Sequence, residues 1–435
     1  MNARWMGAGT RPRTGAAVAV PAMLAGWLFL AGLAAAAEPV TLRYVSRGGQ
    51  ATYDAMVQVI DLWNSRNPDV HVELDWVAGG WPELFDRIVL ETAAGNSPDF
   101  SRIGLAYWPK LYDEGLLYDM SAALERNGFR YDEYFPAVRE YERDGAMLGL
   151  PSGIFLMAVM TNLDHFDAAG VAHPPGDWEN GWTWDDFREA ARKLAVRDGN
   201  GLVRAGSVVR WHAERIIHFI WQNGGEWFTP DGRRSALTEP EAVEALEWLR
   251  AVVHEDGTFA GSTINSFSVD FLGRKNIAMD VNGLWAMPRV TDDVRHGVAP
   301  SPRGRAGAAT PLYIDPFVVL KASRHPEEAT RVLQFFLSEE AARIFGREFG
   351  LPVNRRAAVE LLPELYPKAE YAHTMVWVDG LAHARRVPFT SNWSEIMDVT
   401  SAGLAKLAAN SASALAVAQE IADQTNALLA ELHRP

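Results

Sequence analysis

The stretch that begins at residue 40 alternates between two hydrophobic periodicities, and few folds accept such an alternation. Three short β-rich segments are separated by two segments whose apolar residues recur every three or four positions. The predicted order is strand 40–46, helix 53–63, strand 70–76, helix 81–94 and strand 99–104. Strands that alternate with helices in this way form a parallel sheet with right-handed crossovers. The sequence therefore predicts an α/β fold that binds ligand at the carboxyl ends of its strands.

A second set of α/β elements follows and indicates a second lobe. The predicted elements after residue 150 are strands 156–162, 277–281 and 317–320, and helices 184–196, 240–254, 326–337 and 402–432, the last with a break near 410–413. Thr183 precedes the first of these helices as a capping residue. The length of 435 residues favours two domains over one large core. Because no linker rich in proline or serine separates two modules, we predict two interleaved α/β lobes.

The first 37 residues differ from the rest of the chain. Three arginines give a positive start, residues 16–37 are uncharged and mostly apolar, and four alanines end the stretch. This pattern is typical of a cleavable secretory signal, so the mature chain is predicted to begin at Glu38. The alternative is an uncleaved membrane anchor, because 22 uncharged residues can span a bilayer. Pro21 and the alanine-rich end argue against the anchor.

Charge and cysteine content exclude several classes of protein. The formal net charge of −14 argues against nucleic acid or an anionic membrane as a partner, because nothing would compensate the phosphates. The chain has no cysteine, which excludes disulfides, thiolate nucleophiles, cysteine metal sites and a lipid-modified cysteine. Together with the signal peptide, this composition predicts an untethered protein of the periplasm.

No motif in the sequence indicates an enzyme. Neither a Gly-x-Ser-x-Gly nucleophile turn nor a His-Glu-x-x-His metal pair occurs. The eleven histidines are scattered, so we predict no metal, no cofactor and no catalytic residue. An exported glycoside hydrolase or lyase is the alternative from another class, and hydrolysis would require two carboxylates about 5 to 10 Å apart. Acidic pairs such as 185–186 and 327–328 fit helix caps and solvated faces better.

Several short motifs, in a fixed order, resemble one family of receptors. The matching stretches are 148–155 (LGLPSGIF), 160–166 (MTNLDHF), 168–170 (AAG), 174–175 (PP), 183–187 (TWDDF), 277–285 (IAMDVNGLW), 321–329 (KASRHPEEA), 335–336 (FF), 338–341 (SEEA) and 350–353 (GLPV). Together they resemble the extracellular solute-binding proteins of the maltose-binding type, family 1 of the ABC-importer receptors. Two positions depart from the family pattern. Residues 313–317 (YIDPF) replace a glycine-rich strand entry, and Thr161 replaces an aromatic residue.

The resemblance implies the type II periplasmic binding protein fold, with two interleaved Rossmann-like lobes, a hinge and a central cleft. Lobe one would comprise 38–152 plus 314–349, and lobe two 153–313 plus 350–435, with crossing segments near 150–156, 308–315 and 346–353. The implied function is capture of a carbohydrate by hinge closure, as a monomer that serves membrane-embedded ABC permease subunits. A phosphorylated or carboxylated polyol is the alternative ligand, because Arg47, Arg102 and Arg210 would suit an anion.

Eleven residues are predicted to contact the ligand. They are Arg47, Gly48, Gly49, Tyr107, Trp108, Phe155, Arg210, Trp211, Trp285, Asp315 and Trp393. Aromatic side chains suit the C–H face of a sugar, and arginine, aspartate and backbone N–H groups suit its hydroxyls. For Trp285 the prediction rests on the resemblance, which places a stacking tryptophan there.

Several of these residues have structural alternatives. Tyr107 and Trp108 follow a predicted strand, and one of them is expected to line the cleft while the other packs against the next helix. Arg47 could instead be solvated. Asp315 could bond the hinge backbone rather than a ligand, and Trp63, Trp184 and Trp248 are predicted to be core residues.

Overall fold

The computed structural model describes residues 39–199, 201–262, 276–290, 294–366 and 375–432. The predicted signal peptide and Glu38 lie outside the described residues. The strands are β1 (Val40–Arg47), β2 (Val70–Val77), β3 (Phe100–Arg102), β4 (Glu142–Arg143), β5 (Ala146–Met147), β6 (Leu150–Pro151), β7 (Met157–Asn162), β8 (Val196–Asp198), β9 (Gly201–Arg204), β10 (Ser207–Arg210), β11 (Phe259–Ser262), β12 (Met279–Gly283), β13 (His296–Ala299), β14 (Thr310–Leu312), β15 (Pro316–Val319) and β16 (Ala384–Arg386).

Helices connect these strands, and short 3-10 turns occur at Leu105–Tyr107, Tyr131–Glu133, Pro136–Arg139, Leu284–Arg289 and Gly380–His383. The α-helices are α1 (Gln50–Arg66), α2 (Trp81–Ala93), α3 (Trp108–Asp113), α4 (Ser121–Arg126), α5 (Leu163–Ala169), α6 (Trp184–Leu194), α7 (Ala213–Gln222), α8 (Pro240–His254), α9 (Pro326–Phe336), α10 (Glu339–Phe349), α11 (Arg355–Leu365), α12 (Val376–Asp379), α13 (Trp393–Ala408) and α14 (Ala414–Leu432).

The first lobe is built around a sheet with the strand order β2-β1-β3-β15-β6. Strands β1, β2 and β3 are parallel, as predicted, while β15 and β6 pair antiparallel to their neighbours. Tyr44, Phe100 and Phe317 point from three of these strands into one buried aromatic cluster with Phe336 of α9. This lobe therefore takes strand β15 and helix α9 from the chain far beyond residue 150.

The outer edge of this sheet is covered by side chains from the end of α1. Asn64 accepts a hydrogen bond from the Val72 backbone N–H at 2.8 Å and donates one to the Val72 carbonyl at 3.0 Å. The indole N–H of Trp63 donates to the Val70 carbonyl at 3.1 Å. Side chains thus satisfy both polar groups of Val72 and the Val70 carbonyl in edge strand β2, and the Val70 N–H donates to the Asn67 carbonyl at 3.1 Å.

The second lobe is built around β12, β7 and β13, with β7 antiparallel to both neighbours. Ala205 forms a parallel bridge with Ile277, which brings the parallel pair β10 and β11 alongside β12. Every residue of β7 and β12 is buried, so this sheet is covered on both faces. Helices α6, α7, α8, α13 and α14 belong to the second lobe.

Three chain segments cross between the lobes and are hydrogen-bonded to one another. The backbone N–H of Ser152 donates to the Asp315 carbonyl at 2.9 Å, Phe155 pairs with Tyr313, and Ile154 pairs with Leu351. Gly153 is required at this crossing, because a Cβ there would lie 1.7 Å from the Phe349 carbonyl oxygen. The exact lobe boundaries given above stay predictions.

The structure confirms most of the predicted elements, with small shifts at their ends. Helix α8 matches its predicted range, and Thr183 caps α6 by accepting a hydrogen bond from the Asp186 N–H. The predicted break near 410–413 is present between α13 and α14, where Asn410 has φ 51°. In the described part of the chain, no helix has the length and apolar character needed to cross a membrane.

Candidate functional site

A pocket of about 520 Å³ opens between the two lobes. The first lobe supplies the start of α2 and the turn that leads into α3. The second lobe supplies residues just before and inside the first turn of α7, together with the start of α13. The loops at the carboxyl ends of β2 and β3 therefore reach the pocket, as expected for ligand sites of parallel sheets.

Four aromatic residues line the pocket: Trp81 and Tyr107 are half-buried, while Phe85 and Trp393 are buried, with 7% and 2% of their surfaces exposed. The ring of Tyr107 lies 5.2 Å from that of Phe85. Trp81 lies flat against the backbone at Gly104, where a Cβ would approach the indole to 2.8 Å. Only glycine allows so close an approach, so Gly104 determines where the indole of Trp81 lies.

Two arginines stand over the indole of Trp81. The guanidinium carbon of Arg47 lies 4.9 Å from the ring centroid, and that of Arg102 lies 5.1 Å away. The Arg47 side chain also donates to the Gly79 carbonyl at 2.8 Å, which ties the end of β1 to the loop before α2. Burial and the nearby charge of Arg102 lower the pKa of Arg47. Neither arginine is among the residues that line the pocket.

Carboxylates provide most of the charge that faces the pocket. Glu214 is half-buried near the N-terminus of α7, and the indole N–H of Trp393 donates to its carboxylate at 3.4 Å. Asp86, Glu395 and Asp398 lie at the exposed rim.

The carboxylates of the pocket shift the pKa of a neighbouring side chain. Burial raises the pKa of Tyr107, and the negative charges of Asp86, Glu83, Glu214 and Asp398 add to this shift. His212 also lines the pocket, and burial lowers its pKa, so the imidazole is neutral at pH 7. The pocket is therefore an aromatic space with a negative rim.

Asp315 lies at the hinge behind the pocket. Its carboxylate accepts hydrogen bonds from Arg102 at 2.7 Å and from the Leu105 backbone N–H at 3.0 Å. Ser152 receives the Arg102 Nε–H at 2.9 Å and donates its own hydroxyl to the Asp315 carbonyl at 2.8 Å. Burial raises the pKa of the Asp315 carboxyl, and the charge of Arg102 opposes this shift. These contacts correspond to the structural alternative for Asp315, that of holding the hinge.

Trp285 is half-buried and packs against the hinge rather than lining the pocket. Its ring lies 5.4 Å from Tyr313 and 5.8 Å from Phe155, and the guanidinium of Arg215 stands 4.4 Å from its centroid. Phe155 itself is 5% exposed. The predicted hinge residue and the predicted stacking tryptophan are thus in contact with each other.

Arg210, Trp211 and Trp108 are buried within their lobes. Arg210 forms an ion pair with Asp280 at 2.6 Å in the interior of the second lobe. Trp211 is 2% exposed. The indole of Trp108 stacks on Tyr112 at 5.2 Å and donates to the Leu148 carbonyl, which is the packing alternative given for it.

Of the eleven predicted residues, the pocket brings together Tyr107 and Trp393. Gly48 and Gly49 lie between β1 and α1 and are not among the lining residues. Trp81, Glu214 and the rim carboxylates also line the pocket and were not among the predicted residues. Trp81 follows Gly79 and Gly80 directly after β2, so the rule that selected Tyr107 would also have selected it.

In the described ranges, no group of three or more histidine, aspartate or glutamate side chains is arranged to hold a metal ion.

Comparison with known proteins identifies the fold. An ABC substrate-binding protein of Listeria monocytogenes, in complex with cycloalternan, superposes with a TM-score of 0.79 at 22% identity, covering 90% of this chain and 99% of that chain. A cyclic α-maltosyl-1,6-maltose binding protein of Arthrobacter globiformis gives a TM-score of 0.75 at 20% identity, covering 90% and 100%. These likenesses confirm the predicted fold class of two α/β lobes with a hinge and a central cleft.

Sequence comparison leads to the same family. A putative binding protein of Brucella abortus (strain 2308) is 25% identical over 425 residues, covering 94% of this chain and 97% of the relative. An arabinooligosaccharide-binding protein of Bacillus subtilis (strain 168) is 24% identical over 297 residues, covering 65% and 66%. The model of the bacterial extracellular solute-binding proteins matches residues 48–343. Since this match spans more than half of the sequence, the chain belongs to the bacterial extracellular solute-binding protein family.

Proposed function

We propose that the protein is the substrate-binding subunit of an ABC importer and that it captures a carbohydrate between its lobes by hinge closure. The observation that carries this proposal is the composition of the pocket, where aromatic rings and carboxylates from both lobes face one space of about 520 Å³. An aromatic ring packs against the C–H face of a sugar, and a carboxylate accepts hydrogen bonds from neighbouring hydroxyls. Walls that belong to two lobes suit capture by closure.

The names of the relatives favour a carbohydrate over other solutes. The Bacillus subtilis relative is an arabinooligosaccharide-binding protein, and the Listeria monocytogenes structure contains cycloalternan. Both ligands are rich in hydroxyl groups, and the carboxylates of the pocket can accept hydrogen bonds from such groups.

Within this proposal, Trp81, Tyr107 and Glu214 contact the sugar, and the buried Trp393 donates to the Glu214 carboxylate. Arg47 stands over the indole of Trp81. Asp315 and its partners hold the crossing segments about which the lobes would move.

We further propose that the chain is exported by a cleaved signal peptide, remains free in the periplasm and delivers its sugar as a monomer to membrane-embedded permease subunits. Membership of an extracellular solute-binding family supports the location outside the cytoplasm. In this role the protein binds its ligand without turnover, and neither a cofactor nor a metal takes part.

A thermal-shift screen of the mature protein tests the proposal. The panel contains mono-, di- and oligosaccharides, including arabino- and malto-oligosaccharides and cyclic tetrasaccharides, with amino acids and peptides as non-sugar solutes. We expect at least one sugar to raise the melting temperature, and to raise it further with increasing ligand excess. Small-angle scattering with that sugar is expected to give a smaller radius of gyration, because the lobes close.

Two outcomes would contradict the proposal. A rise in melting temperature with amino acids or peptides, and with no sugar, would show that the pocket serves another class of solute. Consumption of the bound sugar over hours, followed by chromatography, would show turnover and favour the exported hydrolase or lyase.

A further inference from the structure

The charges that face the pocket are unbalanced. Asp86, Glu395 and Asp398 lie at its rim, and Glu214 lies deeper. Among the described lining residues, the positive charge of an arginine or lysine comes from Lys110 alone. His212 adds no positive charge at pH 7, because burial lowers its pKa. Four carboxylates against one ammonium give the pocket a negative potential, and the opposing lobes contribute carboxylates from both sides.

The arginines that the sequence analysis offered to an anionic ligand are engaged elsewhere. Arg102 pairs with Asp315 at 2.7 Å, and Arg210 pairs with Asp280 at 2.6 Å. Arg47 donates to the Gly79 carbonyl and stands over the indole of Trp81. A phosphate or carboxylate on the ligand would therefore enter a pocket whose lining carries four carboxylates and the ammonium of Lys110.

The aromatic wall adds a second feature that favours a cation. Trp81, Phe85, Tyr107 and Trp393 line the same pocket as Glu214. Aromatic faces attract an ammonium group through their electron density, and a neighbouring carboxylate strengthens that attraction. The indole N–H of Trp393 orients the Glu214 carboxylate at 3.4 Å, which holds this charge at the wall.

We propose that the pocket prefers a carbohydrate that carries a protonated amino group over the neutral sugar of the same configuration, rejects uronates and sugar phosphates, and uses Glu214 as the residue that sets this preference. This inference rests on the proposed carbohydrate function and names the class of sugar within it.

Matched sugars provide the test. The probes are di- and trisaccharides of the gluco, galacto and manno series, each as the neutral sugar, the 2-amino-2-deoxy sugar and the uronate, titrated into the mature protein by calorimetry at pH 7. In the sugar series whose neutral form binds, we expect the amino form to bind about tenfold more tightly than the neutral form. The uronate is expected to bind at least about tenfold more weakly than the neutral form. Raising the salt concentration is expected to narrow both differences.

Three variants test whether Glu214 causes the preference for the amino sugar. Glu214→Gln keeps the shape of the side chain and removes its charge. Both sugars are expected to bind more weakly, because Glu214 contacts the ligand, and the amino sugar is expected to lose about tenfold more affinity than the neutral sugar. Asp398→Asn, at the exposed rim, is the second variant, and a smaller loss of about threefold is expected for the amino sugar alone. Glu125→Gln, on α4 and outside the pocket, is the matched control and is expected to bind all forms like the wild type.

The outcomes separate this inference from the proposed function. If neutral sugars bind more tightly than amino sugars, or if uronates bind as well as either, the charge preference is overturned and the carbohydrate function stands. An unchanged order of affinities in both Glu214→Gln and Asp398→Asn would also overturn it. If putrescine binds and no sugar of any charge does, the carbohydrate function itself is overturned.

Discussion

The guanidinium of Arg102 lies 2.7 Å from the carboxylate of Asp315, and this ion pair joins strand β3 of the first lobe to a segment that crosses between the lobes. Both side chains are nearly buried, with 8% and 13% of their surfaces exposed. The same carboxylate fixes the Leu105 backbone N–H at the start of the turn that carries Tyr107. One acidic residue thus connects the sheet, the hinge and a wall of the pocket.

Asp315→Asn is expected to destabilise the protein by about 3 kcal/mol, because it leaves the buried guanidinium of Arg102 without a counter-charge. Urea unfolding followed by circular dichroism measures the change. Glu340→Gln is the matched control, since it breaks the exposed ion pair with Arg66 and is expected to leave the unfolding midpoint unchanged. Equal effects of the two substitutions would contradict the role given to Asp315.

Trp81→Ala is expected to weaken sugar binding by about 30-fold or more, because it removes the aromatic face that lies on Gly104. The control is Trp248→Ala, which removes a half-buried ring that packs against Trp184 and Phe219 in the second lobe. This second variant is expected to melt at a lower temperature and to bind nearly as tightly as the wild type. Calorimetry with the sugar found in the screen, together with thermal melting, compares the two. Normal binding by Trp81→Ala would mean that the ligand occupies another site.

Trp285→Ala is expected to lower stability more than Trp81→Ala does, because the Trp285 ring contacts Phe155, Tyr313 and Arg215 around the hinge. Its effect on affinity is expected to be the smaller of the two. Denaturant melts and titrations of both variants measure this contrast. If Trp285→Ala abolishes binding and leaves the melting temperature unchanged, the stacking role inferred from the family resemblance is the better interpretation.

We expect the buried side chain of His218 to make the protein less stable in mild acid. Its side chain is fully buried and, within the described residues, neither ring nitrogen has a hydrogen-bond partner. Burial lowers its pKa from 6.5 to about 3, and the charge of Arg215 adds to the shift. The unfolded chain binds a proton below pH 6.5 and the folded chain does not, so stability present above pH 6.5 is lost as the pH falls.

At pH 5, His218 is expected to lower the free energy of unfolding by about 2 kcal/mol relative to pH 7 or above. Urea unfolding of the wild type and of His218→Leu at pH 7 and pH 5 measures the difference. The leucine variant has no proton to gain at this position, so its stability is expected to fall less between the two pH values. The same fall in both proteins would show that other groups cause the acid sensitivity.

The sequence predicted the fold because its signals are local. Hydrophobic periodicity located α1, α2 and α8 and the parallel strands β1 to β3, and capping chemistry located the start of α6. The ends of short strands were less accurate, since β3 covers three residues where six were expected. Strand ends depend on where a neighbouring strand stops, and one periodicity does not carry that information.

The pocket was harder to predict because its wall combines residues that are distant in sequence. Glu214 became a candidate only when α13 placed Trp393 beside it, 179 residues further along the chain. The same tertiary effect explains Arg210. Its guanidinium was predicted to contact the ligand, but Asp280 on the adjacent strand β12 pairs with it in the interior. Sequence patterns identified residues able to bind a sugar, and packing determined which of them face the pocket.

The Asn64 side chain blocks one position at which edge strand β2 could pair with a strand of another molecule. By engaging both the N–H and the carbonyl of Val72, it leaves no vacancy at that point of β2 for a strand from another copy of the chain. Helix α1 and strand β2 belong to the same lobe, so this cover does not depend on whether the lobes are apart or together. A movement of one lobe relative to the other would therefore leave the hydrogen bonds of Val72 unchanged.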